Sequence, residues 1–362
     1  MPNALKELAA LQKHRFALAL DSISALSRSG YGEEALLERA AKLLEKTFPA
    51  EFLIFASLDP DSFAITRLYG RSHPQKFMSR ILQNEYVDDD WNKFTQLLQQ
   101  RSPVNTLTHV TGGDKSRSIR YREVYRKHLG MEHELRAVLR LGKKPACVVS
   151  LLRPAFLPDF SASEQRFLAA FCAELENGLR GALVAQFEEG FADPSGMGLV
   201  ILNEDISVNA VNAIGEQWMF EMGDRFVPFA RSMASLVEIN GHAGGKNKLP
   251  FTPHARWYAG NGRWLSVTGS RLHANGGARK LSLVVEGMRP PQLHSLLFEA
   301  YGFTDREREL LHCALRGSST KAIARELRIS EYTVQDYFKS IFDKTGVRSR
   351  RDLMAKLMLD CD

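Results

Sequence analysis

The chain has 362 residues, 44% hydrophobic and 25% charged, a composition typical of globular proteins with two or three domains. It contains no apolar run of the roughly 18–20 residues needed to span a membrane and no secretory signal at its start, so we expect a mature cytoplasmic protein. Its four cysteines, Cys147, Cys172, Cys313 and Cys361, lack Cys-x-x-Cys spacing, so we expect neither a disulfide framework nor a metal site, with Cys147 and Cys172 as core fillers.

The net charge of +6 is concentrated near the C-terminus. Between Arg316 and Arg351, nine Lys/Arg and four Asp/Glu give +5, whereas all other residues together give +1. A basic segment of this kind is typical of a surface that binds a polyanion. A solvated helical face is the alternative.

Residues 1–190 are predicted to form one domain of helices and an antiparallel sheet. Apolar residues at helical spacing predict helices over 5–26 and 35–48, and "EFLIFASLD" and "FAITRLYG" predict two strands. After a polar, partly helical region, "ELRAVLRLGKKPACVVSLLR" predicts a hairpin. Ser161 and Glu164 then form a capping box at the start of a long helix.

Residues 194–289 are predicted to form a second domain of the same style. "GLVILN" and "ISVNAVN" predict two strands before a helical region. "RWYAGNGRWLSVTGSRL" predicts a hairpin, and "KLSLVVEGM" predicts a final strand. The prolines of "RPPQL" end the sheet, so residues 290–302 are assigned to a linker. The two domains show no detectable sequence repeat.

Residues 303–362 are predicted to form four short helices without strands. Helix-capping residues begin each of them: Thr304, Ser319, Ser330 and Ser349. Only "RIS" separates the second helix from the third, a spacing that favours a helix-turn-helix.

The C-terminal segments "FTDRERELL", "GSSTKAIA", "ISEYTVQDY" and "IFDKTGVRSR" resemble, in order and spacing, the LuxR-type (GerE-type) DNA-binding domain. Thr320 and Ala322 replace the family's usual Asn and Glu, Gln335 replaces Lys, and Tyr337 replaces His. The resemblance implies that the third helix enters the major groove of double-stranded DNA.

The resemblance implies base contacts from Gln335, Asp336 and Lys339. Glutamine can bond adenine, and aspartate can accept a hydrogen bond from cytosine. Alternatively, Asp336 only pairs with Lys339 on the helix surface. Contacts to phosphate are expected from four further residues: Lys321, Thr333, Lys344 and Arg350.

The last helix carries an apolar surface made of Leu353, Met354, Leu357 and Met358. In the family the equivalent helix pairs two subunits, which implies a homodimer on a roughly palindromic site. Packing against the upstream domains of the same chain is the alternative.

The order of the domains resembles that of bacterial regulators with a GAF-like domain, a PAS-like domain and a LuxR-type module. Such domains often hold a small molecule, for which the pocket candidates are Trp91, Tyr121, Tyr125 and Leu135 in the first domain and Trp218, Trp257, Tyr258 and Trp264 in the second. For each of them, a position in the core or on the surface is the alternative.

The fold class is therefore multidomain α+β followed by an all-α helix-turn-helix domain. The leading hypothesis is a ligand-responsive transcription regulator whose partners are DNA, a second copy of the chain, a small-molecule effector and RNA polymerase. The alternative is a constitutive DNA-binding regulator whose upstream domains serve only dimerisation or protein partners. The chain lacks the sequence motifs of nucleophile elbows, P-loops, zinc proteases and dinucleotide sites, which argues against an enzyme.

Overall fold

The computed structural model describes residues 2–70, 75–189, 196–242, 253–260, 263–273, 279–288 and 290–358. Cys361 and the side chain of Met358 lie outside the described part.

The first α+β unit comprises residues 2–189. Its helices are α1 (Pro2–Ser27), α2 (Glu33–Thr47), α3 (Met78–Tyr86), α4 (Phe94–Gln99), α5 (Leu107–Val110), the π-helix Tyr121–Leu129 and α6 (Ala162–Glu188), with 3-10 turns at Gln75–Phe77 and Lys115–Arg117. Its strands are β1 (Phe52–Leu58), β2 (Ile65–Tyr69), β3 (Val104–Thr106), β4 (Met131–Leu141) and β5 (Lys144–Pro154). They form one antiparallel sheet in the order β2-β1-β5-β4-β3.

The second α+β unit comprises the described part of residues 196–288. Its strands are β6 (Met197–Leu202), β7 (Val208–Val211), β8 (His254–Tyr258), β9 (Trp264–His273) and β10 (Arg279–Gly287), and its helices are α7 (Ala213–Met222), a 3-10 turn at Gly223–Arg225 and α8 (Phe226–His242). The antiparallel order β7-β6-β10-β9-β8 repeats that of the first sheet. The two units thus share one topology without a visible sequence repeat, because topology needs only the pattern of apolar positions and turns.

The C-terminal unit comprises residues 290–358 and is helical throughout. Its helices are α9 (Pro290–Ala300), α10 (Asp305–Leu315), α11 (Thr320–Leu327), α12 (Glu331–Thr345) and α13 (Arg350–Met358). The four predicted helices are present, with caps from Thr304, Ser319, Ser330 and Ser349.

Helix α9 occupies the segment assigned to a linker. Two prolines cannot continue a strand, but Pro290 stands at the first helical position, where no intrahelical N–H bond is lost. Leu293 and Leu297 of α9 are buried. They belong to the core that also contains the inner face of the first unit and the interior of α10–α13. The second unit has a core of its own.

Ion pairs lie within the C-terminal unit and also join it to the first unit. Glu299 on α9 is buried and accepts from Arg308 on α10 at 2.6 and 2.9 Å. Lys143, in the turn between β4 and β5, pairs with Asp305 at 2.6 Å. Lys356 on α13 pairs with Glu188 at the end of α6 at 2.9 Å. The C-terminal unit is therefore held against α6 and the β4–β5 turn.

Candidate nucleic-acid interface

Helix α12 presents one buried and one exposed face. Val334, Phe338 and Ile341 are buried in the shared core. The hydroxyl of Ser330 accepts a hydrogen bond from the backbone N–H of Thr333 at 3.0 Å and begins the helix. These contacts fix which side chains α12 can offer to a partner.

The predicted base-contact residues lie together on the exposed face of α12. Gln335, Asp336 and Lys339 are all exposed. The Lys339 ammonium lies 3.3 Å from an Asp336 carboxylate oxygen, the pairing that the sequence left open as an alternative. Both side chains are surface groups, so this pair is worth less than about 1 kcal/mol and leaves them free to rearrange.

The predicted phosphate contacts divide into two kinds. Lys321 is exposed in the first turn of α11, and Thr333 is half-buried in the first turn of α12. By contrast, the Lys344 ammonium donates to the Glu307 carboxylate at 2.6 Å, and Arg350 donates to the Ser318 carbonyl at 2.5 Å. Lys344 and Arg350 thus hold helices of this unit together as the chain stands.

Glu307 has a second role that its capping-box pattern did not indicate. Besides capping α10, its carboxylate accepts from Lys344 at 2.6 Å and from the Ser340 hydroxyl at 2.7 Å, both on α12. Burial alone would raise the pKa of Glu307, but the hydrogen bonds, led by that from Lys344, lower it below its usual value. Glu307, in its ionised form, therefore holds α12 against α10.

Helix α13 turns part of its apolar surface towards its own chain. Leu353 and Leu357 are fully buried, and Met354 is half-buried. The Leu357 carbonyl lies 2.9 Å from Nε2 of His294 on α9. Packing within the chain, the alternative open at the sequence level, thus covers two of the four residues expected to pair subunits.

Comparison with known proteins identifies this unit. The family profile of bacterial regulatory proteins of the luxR family matches residues 302–357. The spore germination protein GerE of Bacillus subtilis is 38% identical over 55 residues, which are 15% of this chain and 74% of GerE. The chain belongs to the luxR family.

Further proteins match this luxR-family chain over different lengths. The transcriptional regulatory protein DesR of Bacillus subtilis is 35% identical over 82 residues, 22% of this chain and 41% of DesR. Among solved structures, Escherichia coli SdiA is 11% identical, with 95% of this chain and 99% of SdiA covered and a TM-score of 0.32. A VqmA–ligand–DNA complex from Vibrio cholera is 13% identical, with 45% of this chain and 82% of that chain covered and a TM-score of 0.23.

The pocket candidates of the first unit belong to two different clusters. Tyr121 and Tyr125 are buried in one small cluster beside Trp91, whereas Leu135 belongs to the main core. The cavity that Tyr125 lines has a volume of about 50 Å³. Ligand sites usually have about 300–1,000 Å³, so this cavity is too small for a drug-sized molecule.

A network of buried ion pairs occupies the interior of the first unit instead. Glu134 on β4 accepts from Arg120 at 3.0 Å and from Arg136 at 2.8 Å. Arg136 also donates to Glu85 at 2.8 Å, and the backbone N–H of Arg120 donates to Asp90 at 2.9 Å. Burial would raise the pKa of Glu134, but the two guanidinium groups outweigh it and lower the pKa. The charged residues are visible in the sequence, but the sequence does not show that they meet in the interior of the first unit.

The tryptophans of the second unit belong to two different hydrophobic cores. Trp218 and Trp257 are buried in the core of that unit. Trp264 instead faces the first unit, where its ring stacks on Phe187 of α6 at a centroid distance of 5.2 Å. Tyr258 lies beside it, with ring centroids 5.1 Å apart.

Trp257, Tyr258 and Trp264 line a cleft of about 580 Å³ between the two α+β units. The first unit contributes α2, β1, β2, β4, β5 and α6 to its walls, and α9 contributes Leu296. The sequence could not reveal this cleft, because its walls come from segments that meet only in the folded chain.

Within the described ranges, Asp59, Asp61 and His254 are the residues whose side chains group as metal ligands could. Arg256 already pairs with Asp59 at 2.8 Å and with Asp61 at 2.7 Å. Burial would raise the pKa of Asp59, but Arg256 outweighs it and lowers the pKa. The group therefore serves as an ionic joint between the two α+β units. Along the part of the chain that the structure describes, no helix has the length and apolarity of a membrane span.

Proposed function

We propose that this protein is a sequence-specific DNA-binding transcription regulator. The observation that carries the proposal is the helix-turn-helix of α11 and α12 in a luxR-family unit, with Gln335, Asp336 and Lys339 exposed on one face of α12. In a helix-turn-helix, the second helix reads base edges in the major groove. Gln335 would bond adenine, and Asp336 would accept from cytosine.

We further propose that the two α+β units are sensor domains of the GAF-like and PAS-like kinds. Their shared order of one strand, a second strand beside it, helices and three more antiparallel strands supports this assignment. The cleft of about 580 Å³ supports a response to a small molecule, since its volume falls within the usual range of ligand sites. A ligand that favours one arrangement of the units would shift the population of DNA-competent molecules.

We also propose that the protein binds a roughly palindromic site as a homodimer. Half-buried Met354 supports this proposal, because it leaves apolar surface of α13 for pairing although Leu353 and Leu357 are buried. In the second candidate function, the protein binds DNA constitutively and its upstream units recruit protein partners, RNA polymerase among them. The exposure of Gln335, Asp336 and Lys339 in this conformation favours that candidate, because the upstream units do not cover them.

The test is selection of preferred DNA from a random duplex library, followed by fluorescence anisotropy with the selected site. Gln335→Ala is expected to cost about 1–3 kcal/mol on that site and to relax base preference at one position. Lys321→Ala is expected to weaken binding evenly on all sequences and to reduce the salt slope by about one. Native mass spectrometry of the complex gives the number of chains per site.

Even weakening by both variants would contradict the assigned roles. Failure to enrich any sequence would contradict the proposed function itself. The matched control is Glu309→Gln, which changes an exposed charge on α10.

A further inference from the structure

The cleft between the two α+β units contains buried polar atoms without partners. Within the described residues, Oε1 of Gln186 on α6 and Nε1 of Trp264 on β9 have no hydrogen-bond partner. Both residues are buried, with only 7% and 5% of their surface exposed, so water does not readily replace the missing partners. A buried polar group without a partner costs about 1–3 kcal/mol, and most such groups are satisfied in folded proteins. Two of them in one cleft point to a bound molecule with polar groups.

The charge of the cleft argues against an anion. Five carboxyl groups and three guanidinium groups line it, a formal charge of −2. Each guanidinium is already paired with a carboxylate: Arg67 with Glu34 at 2.5 Å, Arg225 with Glu34 at 2.7 Å and Arg256 with Asp59 at 2.8 Å. An anionic ligand would have to break one of these pairs.

Among the five carboxyl groups that line the cleft, Glu33 is the one left to pair with a cationic ligand. It lies in the first turn of α2 on the cleft wall and forms no ion pair with any residue that the structure describes. Burial raises the pKa of this carboxyl, and Arg67 and a hydrogen bond from the Gln186 side chain offset the increase only in part. A cation beside Glu33 would compensate the buried charge, as partners of buried carboxylates do.

Apolar surface lies beside these polar groups. Leu183 of α6, Leu296 of α9 and the ring of Trp264 line the same cleft. Apolar area removed from water contributes about 25 cal/mol per Å². The site thus combines an acidic end with an apolar wall.

We propose that the cleft binds a small organic ammonium ion with an apolar or aromatic body. Its ammonium group donates to the Glu33 carboxylate and to Oε1 of Gln186, and its body lies against Leu183, Leu296 and Trp264. An oxygen on the ligand, or a water molecule, accepts from Nε1 of Trp264. The proposal assigns a binding site and a chemical class to the small-molecule effector. It rests on the proposed function only for the effect of the ligand on DNA binding.

The position of the site links it to the DNA-binding unit. Gln186 stands two residues before Glu188, which pairs with Lys356 of α13. Leu296 lies on α9, whose His294 contacts the backbone of α13. A ligand held by α6 and α9 therefore touches the two helices that hold the C-terminal unit in place.

The experiment is isothermal titration calorimetry of the full chain with three probes of one size: 2-phenylethylamine, 2-phenylethanol and phenylacetate. We expect 1:1 binding of the amine, weaker binding of the alcohol and none of the carboxylate. Glu33→Gln is expected to weaken amine binding at least about tenfold, which is 1.4 kcal/mol. Gln186→Leu, which removes the unpaired acceptor without adding a polar group, is expected to weaken it as well. Glu45→Gln, on an exposed part of α2, is the matched control.

Absence of amine binding to the wild type overturns the proposal. Equal binding of phenylacetate, or unchanged amine affinity in Glu33→Gln, also overturns it. Anisotropy with the selected DNA on the same preparations separates the two proposals: loss of amine binding with intact DNA binding refutes only the effector site, and the reverse result refutes only the regulator.

Discussion

Replacement of Arg120 by methionine tests the claim that the interior of the first unit is a closed ionic network. Arg120 is 1% exposed and donates to Glu134 at 3.0 and 3.3 Å, to Asn84 at 2.7 Å and to the Trp91 carbonyl at 3.1 Å. Methionine fits the same volume and removes every side-chain donor. Asp90 then loses the guanidinium beside it, and Glu134 keeps only Arg136 as a cationic partner.

The expected loss of stability follows from these contacts. Removal of one partner from a buried ion pair costs about 3–5 kcal/mol, because the other charge stays buried and uncompensated. For a unit of about 150–250 residues, each kcal/mol lowers the melting temperature by about 2–4 °C, so a decrease of about 6–20 °C is expected. The control is Arg122→Met, which replaces an exposed arginine in the first turn of the π-helix and should change stability by less than about 0.5 kcal/mol.

The assay is scanning calorimetry together with hydrogen exchange of the amides in β4, which reports opening of this unit alone. A loss below about 1 kcal/mol in Arg120→Met would refute the reasoning. It would mean that water reaches Glu134 and that the interior has more space than the cavity of about 50 Å³. The first unit would then again be a place for a ligand.

Two further predictions concern the contacts between units. Gly142→Ala should accelerate hydrogen exchange in α9, because a Cβ there would overlap a carboxylate oxygen of the buried Glu299. Gly112→Ala shares the positive φ but has open space around it, so it should incur only the strain of about 1–2 kcal/mol. Equal effects of the two variants would contradict the contact. Glu33→Gln should make the protein more stable than the wild type at pH 8 but not at pH 4. The pKa of Glu33 is raised in the folded protein, so its contribution to stability is fully present below the unfolded pKa near 4.5 and is lost as the pH rises through the folded pKa. A constant difference in melting temperature between the two proteins at all pH values would contradict this prediction.

The elements with strong local signals could be predicted from the sequence. The capping box of Ser161, the caps of α10–α13 and the alternating strands all lie where the patterns place them. Local hydrogen bonds and side-chain periodicity determine these features, and both are visible in a short window. The exposure of Gln335 on α12 followed from the same periodicity.

The features that depend on distant segments could not be predicted. Strand β3 has only three residues, too few for a periodic signal. Trp257 and Trp264 line one cleft but belong to different cores, because they lie on opposite faces of the sheet that β8 and β9 form. Lys344 and Arg350 looked like phosphate ligands by charge and position, and only the fold shows that Glu307 and the Ser318 carbonyl hold them.

The continuity of the core through α9 bears on how this protein can be recombined with others. Leu293 and Leu297 of α9 are buried in a core shared by the first unit and the C-terminal unit. A chimera cut after residue 302 would leave the apolar side of α9 on one fragment and its partners on α13 on the other. A donor domain joined at that point must bring a helix with the same apolar spacing, so the interchangeable part of this chain ends inside a packed helix and not in a flexible joint.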